Sequence, residues 1–111
     1  MTSFATETIG TTLVVRPLGR LDLVSAPQLR DIIASSVANG IVGVVVDLHG
    51  VDFMDSSGLG AMINGLKATR QAGGNLRIAR PAQQALVVLD LTMSQQILHP
   101  YASVEEAIAA P

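Results

Sequence analysis

Residues 41–60, IVGVVVDLHGVDFMDSSGLG, join a continuous apolar run to a polar segment that contains serine and glycine. Its first part, Ile41 to Leu48, is almost continuously apolar. This pattern is typical of a central strand that is buried on both faces and not exposed to solvent on one of them. We therefore expect helices as its neighbours. The segment His49 to Asp55 is predicted to be a loop that leads from this strand into a helix.

That helix shows an apolar face with helical spacing, and two glycines mark its end. Gly73 and Gly74 follow the last residues of the pattern and are typical helix terminators. The residues of the apolar face are Leu59, Met62, Ile63 and Leu66. Beyond the glycines, Leu76 to Arg80 alternate like a half-buried strand that Pro81 ends.

Upstream, two strand-like runs predict a hairpin. Phe4 to Ile9 and Thr12 to Leu18 are separated by two residues, and Pro17 is expected to mark an edge or an end. A helix should follow the hairpin and end at Gly40. Its predicted start combines a capping box, Ser25 with Gln28, and a hydrophobic staple, Val24 with Leu29.

The C-terminal third predicts two helices with a short strand between them. Ala82 to Leu91 is interpreted as a helix and Ile97 to His99 as a strand. Ser103 with Glu106 forms a second capping box before a helix over Ala107 to Ala110. The complete pattern predicts the α/β class, as a single domain over residues 1–111. We expect a mixed sheet of four to five strands with about four helices packed on it.

Composition excludes several classes of function. The 111 residues contain no Cys, which removes thiol catalysis and Cys-ligated zinc. The chain has seven Lys and Arg residues and nine Asp and Glu residues, so its charge does not indicate a basic surface for nucleic acid binding. No apolar stretch approaches the ~18 residues of a membrane span, and Met1 to Gly10 lack a signal peptide pattern. We expect a cytoplasmic protein without a membrane association.

Residues 49–67 permit three weak chemical interpretations. A serine hydrolase would use Ser56 with His49 and Asp52, and a metal site would use His49, Asp52 and Asp55. Gly60 to Gly65 with Lys67 superficially resembles a phosphate-binding loop, but Lys67 is one position late and no Ser or Thr directly follows it. We predict no catalytic site, no metal and no cofactor.

Ser56 is better suited to carry a phosphate. The first N–H groups of a helix are unpaired and partly positive, so a phosphate formed there would be held. The simpler alternative is that Asp55, Ser56 or Ser57 only caps the helix. The residues by themselves leave both interpretations open.

The run Phe53 to Gly60, with the helix and the strand that follow it, resembles the STAS domain, specifically the bacterial anti-sigma-factor antagonists. The similarity extends upstream to Gly19-Arg20-Leu21-Asp22 and Ala26-Pro27, and downstream to Val88-Leu89-Asp90-Leu91-Thr92. It therefore covers nearly the whole chain.

The resemblance implies a partner switch. The unphosphorylated antagonist would bind an anti-sigma factor that is also a serine kinase, which frees the sigma factor. That kinase would phosphorylate Ser56, and a Ser/Thr phosphatase would reverse the reaction. Asp22, Asp55 and Ser57 match positions that neighbour the phosphorylated serine. On this interpretation the chain is not an enzyme.

We expect a partner surface at the start of this helix, formed by Gly58, Leu59, Met62 and Arg20. The chain is expected to be a monomer or a weak homodimer. Arg20 departs from the family, which often has an acidic residue there, and Met93 and Ser94 replace a glycine and an apolar residue. The alternative function is a STAS-like interaction domain in another signalling assembly, or a binder of a nucleotide or small ligand.

Overall fold

The computed structural model describes residues 2–111, which form six strands and five helices. In chain order these are β1 (Ser3–Ile9), β2 (Thr12–Leu21), α1 (Ala26–Ala38), β3 (Gly43–Asp47), β4 (Val51–Met54), α2 (Ser56–Gln71), β5 (Asn75–Ala79), α3 (Gln83–Leu91), α4 (Gln95–Leu98), β6 (Pro100–Tyr101) and α5 (Val104–Ala109).

The strands form one mixed sheet in the order β1-β2-β3-β5-β6. β1 runs antiparallel to β2 as the predicted hairpin, and the other neighbours are parallel. β4 lies off this path and extends the sheet beside the end of β2, through Gly19 to Leu21. The predicted α/β fold with a mixed sheet is confirmed.

β3 is buried on both faces, as its continuous apolar sequence predicted. Val44 and Val46 belong to the main core beneath α1 and α2. Val45 points to the opposite face, into a smaller core with Val104 and Ala107 of α5. Because helices cover both faces, no position in this strand has to be polar until Asp47.

Two predicted assignments are wrong. The segment between His49 and Asp55 is not a loop throughout, because Val51–Met54 forms β4 with Val51 and Met54 buried. Asp52 and Asp55 make the segment 49–55 polar, so its sequence did not indicate a strand. Ile97 to His99 is not a strand: residues 95–98 form the helical turn α4, and the chain pairs with β5 only from Pro100.

The start of α1 also differs from the prediction. Ser25 precedes the helix, but its side chain makes no capping bond to it, so the capping box with Gln28 is absent. Val24 is 88% exposed, which excludes the predicted staple with Leu29. The second capping box is confirmed in part, because Ser103 Oγ accepts a hydrogen bond from the Glu106 N–H at 3.0 Å.

Pro17 lies inside β2 and not at its end. Its partner on one side is Phe4 of β1. On the other side the pairing with β3 ends at Val15 and that with β4 begins at Gly19. The proline therefore occupies the point where β2 changes neighbour, so its missing N–H interrupts neither parallel ladder.

The turn after α3 has a left-handed residue at Met93, with φ +57°. Ser94 N–H donates to Leu89 O at 2.8 Å and Met93 N–H donates to Asp90 O at 3.1 Å. These two bonds form a Schellman motif, in which glycine is the usual residue at the position of Met93. None of the helices within residues 2–111 has the length and apolarity needed to cross a bilayer.

Candidate functional site

Ser56 is the exposed first residue of α2, and only Asp55 separates it from β4. The helix cap is Asp55, whose Oδ1 accepts hydrogen bonds from the N–H groups of Ser57 at 2.8 Å and Gly58 at 3.1 Å. The Ser56 hydroxyl makes no hydrogen bond to any residue of the described chain, 2–111. The capping role therefore belongs to Asp55, and Ser56 is left with an accessible hydroxyl.

This cap changes the expectation for a phosphate. Free N–H groups at the start of the helix were expected to hold it, but two of them already donate to Asp55. A phosphate on Ser56 would compete with a carboxylate that is one residue away and carries the same sign of charge. A phosphoryl group here would project toward solvent or a partner.

The start of α2 is fixed against the end of β2. The Asp55 N–H donates to Leu21 O at 3.3 Å. Gly58 approaches the same carbonyl so closely that a Cβ added to it would lie 2.2 Å from Leu21 O. Only glycine fits at that position. The glycine at position 58 therefore allows the start of α2, with Ser56, to lie this close to β2.

Asp22 follows Leu21 and is used to hold the turn into α1. Its Oδ1 accepts from the N–H groups of Val24 at 3.1 Å and Ser25 at 3.3 Å, and its Oδ2 accepts from Arg20 Nε at 3.3 Å. Desolvation opposes ionisation of this carboxyl, but the hydrogen bonds outweigh it and lower the pKa of Asp22. Asp22 is therefore a charged residue that stabilises the turn between β2 and α1, next to the site.

Arg20 lies over a ring of the neighbouring strand. Its guanidinium carbon is 4.2 Å from the centre of the Phe53 ring, a cation–π contact, and it also pairs with Asp22. The side chain is 59% exposed. Arg20 is thus accessible from solvent, in the region where the sequence predicted a partner contact.

Three other residues of the predicted partner surface are buried in the structure of the chain, and their contact with a partner stays a prediction. Gly58 packs against β2, and Leu59 and Met62 belong to the main core, with Leu59 5% exposed and Met62 fully buried. The reason is the helical period, which turns this face of α2 toward the sheet. The outward face of α2 carries Ser56 and Lys67 instead.

Gln84 of α3 is a site residue that no sequence pattern indicated. Its Oε1 accepts from the Met54 N–H at 2.7 Å and its Nε2 donates to Met54 O at 2.8 Å. The amide thus satisfies both backbone groups of the last residue of β4, as a neighbouring strand would. It holds the segment that leads into Ser56.

The hydrolase and metal interpretations gain no support from the placement of His49. It is exposed and lines a groove of about 270 Å³ with Asp47 and Arg80, and Ser56 is not part of that groove. Within residues 2–111, His49, Asp52 and Asp55 are not gathered into a cluster that could hold a metal ion.

Asp47, at the end of β3, is the most buried carboxylate in this region. Arg80 binds it with both Nε and Nη2, at 3.1 and 2.6 Å, and Arg16 Nε lies 3.4 Å away. Burial raises the pKa of Asp47, but these arginines and the His49 N–H outweigh burial and lower it. The charges compensate each other, which is typical of a structural ion pair.

The chain is similar to known anti-sigma factor antagonists. The family model of the STAS domain matches residues 3–107. An anti-sigma-B factor antagonist of Staphylococcus epidermidis is 32% identical over 81 residues, which cover 73% of this chain and 75% of the relative.

Solved structures give the same result. An anti-sigma factor antagonist from Mycobacterium paratuberculosis has a TM-score of 0.88 at 24% identity, over 99% of this chain and 93% of that one, which shows the shared fold. The phosphorylated form of SpoIIAA, a Bacillus cell fate determinant, has a TM-score of 0.75 at 25% identity, over 96% of both chains. Because the family model spans nearly all of the sequence, this chain belongs to the STAS domain family.

Proposed function

We propose that the chain is an anti-sigma-factor antagonist that is switched at Ser56. Unphosphorylated, it binds an anti-sigma factor with serine kinase activity and so releases the sigma factor. Phosphorylation of Ser56 by that kinase ends the binding, and a Ser/Thr phosphatase restores it. The names of the similar proteins support the antagonist role, and the solved phosphorylated form of SpoIIAA supports regulation by phosphate.

The observation that carries this proposal is the accessible hydroxyl of Ser56 at the start of a capped helix. A kinase needs a side chain that can enter its active site, and Ser56 is exposed and free of hydrogen bonds within residues 2–111. Ser57 is less exposed, and its N–H is bonded to Asp55. The first of the two serines is therefore the better acceptor.

The electrostatic consequence of phosphorylation has a clear sign. A phosphate adds about −1.5 to −2 charges at neutral pH. It would appear next to Asp55, which carries the same sign of charge, so the surface around Ser56 becomes more acidic. If partner binding requires this group to lose its hydration, a penalty of about 3 kcal/mol would weaken binding more than a hundredfold.

The chain itself performs no chemistry in this proposal. ATP, Mg²⁺ and any general base belong to the kinase, and the chain supplies the acceptor serine. Regulation of a sigma factor takes place in the cytoplasm, so the chain would act there. No change of fold is required, because the charge acts at the contact surface.

Binding of serine variants to the purified anti-sigma kinase, in the presence of ATP, tests the proposal. Ser56→Ala should bind and stay bound, because it cannot be phosphorylated. Ser56→Asp should bind weakly, because it carries a permanent charge at the same position. Ser57→Ala is the matched control and should lose binding on incubation with ATP, as the wild type does. Equal binding by Ser56→Ala and Ser56→Asp would contradict the switch.

A further inference from the structure

Two consecutive apolar side chains project into solvent between β2 and α1. Leu23 is 73% exposed and Val24 is 88% exposed. Val24 does not form the hydrophobic staple that its position predicted, so the helix gains no packing from it. Exposing neighbouring Leu and Val side chains gives no benefit to folding, and such an arrangement is typical of a contact surface. We call residues 22–25 the Leu23–Val24 turn.

The turn is held rigidly although its apolar side chains pack on nothing. Asp22 accepts hydrogen bonds from the N–H groups of Val24 and Ser25, and Asp22 O accepts from the Ala26 N–H at 2.8 Å. Ser25 Oγ donates to Arg20 O at 2.7 Å. Because the backbone is already ordered, a partner that binds Leu23 and Val24 does not have to order it.

The turn lies beside Ser56. Leu21, two residues before Leu23, accepts a hydrogen bond from the N–H of Asp55, which directly precedes Ser56. Protein partners cover about 800 Å² on each side of an interface, which corresponds to 20–30 residues. An interface centred on Ser56 would therefore include the turn.

We propose that Leu23 and Val24 form the apolar contact by which this chain docks into an apolar recess of its anti-sigma factor. This inference rests on the proposed function. It also supplies the reason why a phosphate would end binding: when Leu23 and Val24 enter an apolar recess, water leaves the adjacent surface, and a phosphate on Ser56 would lose hydration without gaining a partner.

A second exposed apolar surface on the same chain provides a control for the Leu23–Val24 turn. Leu91 is 79% exposed and Met93 is 66% exposed, at the end of α3. Gln84, which contacts the segment before Ser56, lies at the other end of that helix. Leu91 is thus an exposed apolar residue of similar character, at the end of α3 opposite to Gln84.

The test compares Leu23→Ser/Val24→Ser with Leu91→Ser. The probes are the purified anti-sigma serine kinases of the same genome with ADP bound, so that no phosphate is transferred during the titration. We expect the double variant to bind about tenfold more weakly or worse, and Leu91→Ser to bind within about twofold of wild type. Unchanged urea midpoints would show that both variants are folded.

The outcomes separate the two proposals. If the wild type binds a kinase and the double variant binds equally well, the docking role of the turn is wrong while the switch at Ser56 stands. If Leu91→Ser is the variant that loses binding, the partner uses the end of α3 and the docking role is again wrong. If the wild type neither binds any of these kinases nor is phosphorylated by them, both proposals fail.

Discussion

Replacing Gly58 by alanine should destabilise this chain, whereas the same change two residues later, at Gly60, should stabilise it. Both glycines lie in α2, where alanine is favoured over glycine by up to about 1 kcal/mol. The main difference between the two sites is what a Cβ would contact. At Gly60 the nearest atom is Arg30 Nη2 at 3.6 Å, an ordinary contact with a mobile side chain.

At Gly58 the nearest atom is the backbone oxygen of Leu21, at 2.2 Å. A carbonyl oxygen cannot rotate away as a side chain can, so the start of α2 has to move by about 1 Å. Such overpacking costs about 1–3 kcal/mol, and weakening the hydrogen bond from the Asp55 N–H to Leu21 O costs about 1 kcal/mol more. After subtraction of the helix propensity, Gly58→Ala should lose about 1–3 kcal/mol.

Urea unfolding followed by circular dichroism measures both changes in one series. Gly60→Ala should gain about 0.5–1 kcal/mol, and the two variants should differ in the sign of the shift of the midpoint at an unchanged m-value. If Gly58→Ala were as stable as the wild type, the close approach of α2 to β2 would be wrong, and with it the rigid placement of Ser56.

Three further predictions concern other contacts. Asp47→Asn should lose about 2 kcal/mol at pH 7, because it leaves Arg80 and Arg16 without their shared carboxylate. Since the pKa of Asp47 is lowered in the folded state, its contribution is present above the pKa of the unfolded chain and is lost as the pH falls through the folded value. The difference between Asp47→Asn and wild type should therefore shrink in urea unfolding at acidic pH, and a constant difference would contradict the ion pair. Met93→Gly should stabilise by about 0.5–1 kcal/mol, because φ is +57° and the side chain is exposed, so thermal unfolding should shift upward; a downward shift would contradict the left-handed turn. Gln84→Glu should destabilise by about 2 kcal/mol, because its carboxylate cannot donate to Met54 O, and amide hydrogen exchange at residues 54–56 should accelerate; unchanged exchange would contradict the proposed support of β4.

Much of this fold could be predicted from local sequence patterns. The continuous apolar run of β3, the helical spacing in α2 and the glycines after the helices each depend on neighbouring residues, and all three predictions hold. β4 was missed because four residues, one of them an aspartate, carry almost no pattern. The strand forms where β2 continues past Leu18 and pairs with it.

The candidate site was predictable in position but not in contacts. The placement of Ser56 at a helix start followed from the sequence around it. The burial of Met62 and the support from Gln84 depend on how distant segments pack, which local periodicity does not contain. For Val24, a local pattern predicted a contact that the structure lacks. Its position fitted a hydrophobic staple, but the hydrogen bonds to Asp22 hold the turn in a conformation that leaves the Val24 side chain in solvent.

The proposed switch depends on phosphate transfer to Ser56, which intact-mass spectrometry can detect. The wild type, Ser56→Ala and Ser57→Ala would each be incubated with ATP, Mg²⁺ and the anti-sigma kinases of the same genome, followed by peptide mapping. We expect one added phosphate on wild type and on Ser57→Ala, mapped to Ser56, and none on Ser56→Ala. A phosphate at another residue, or none with kinases that are active on other substrates, would contradict it.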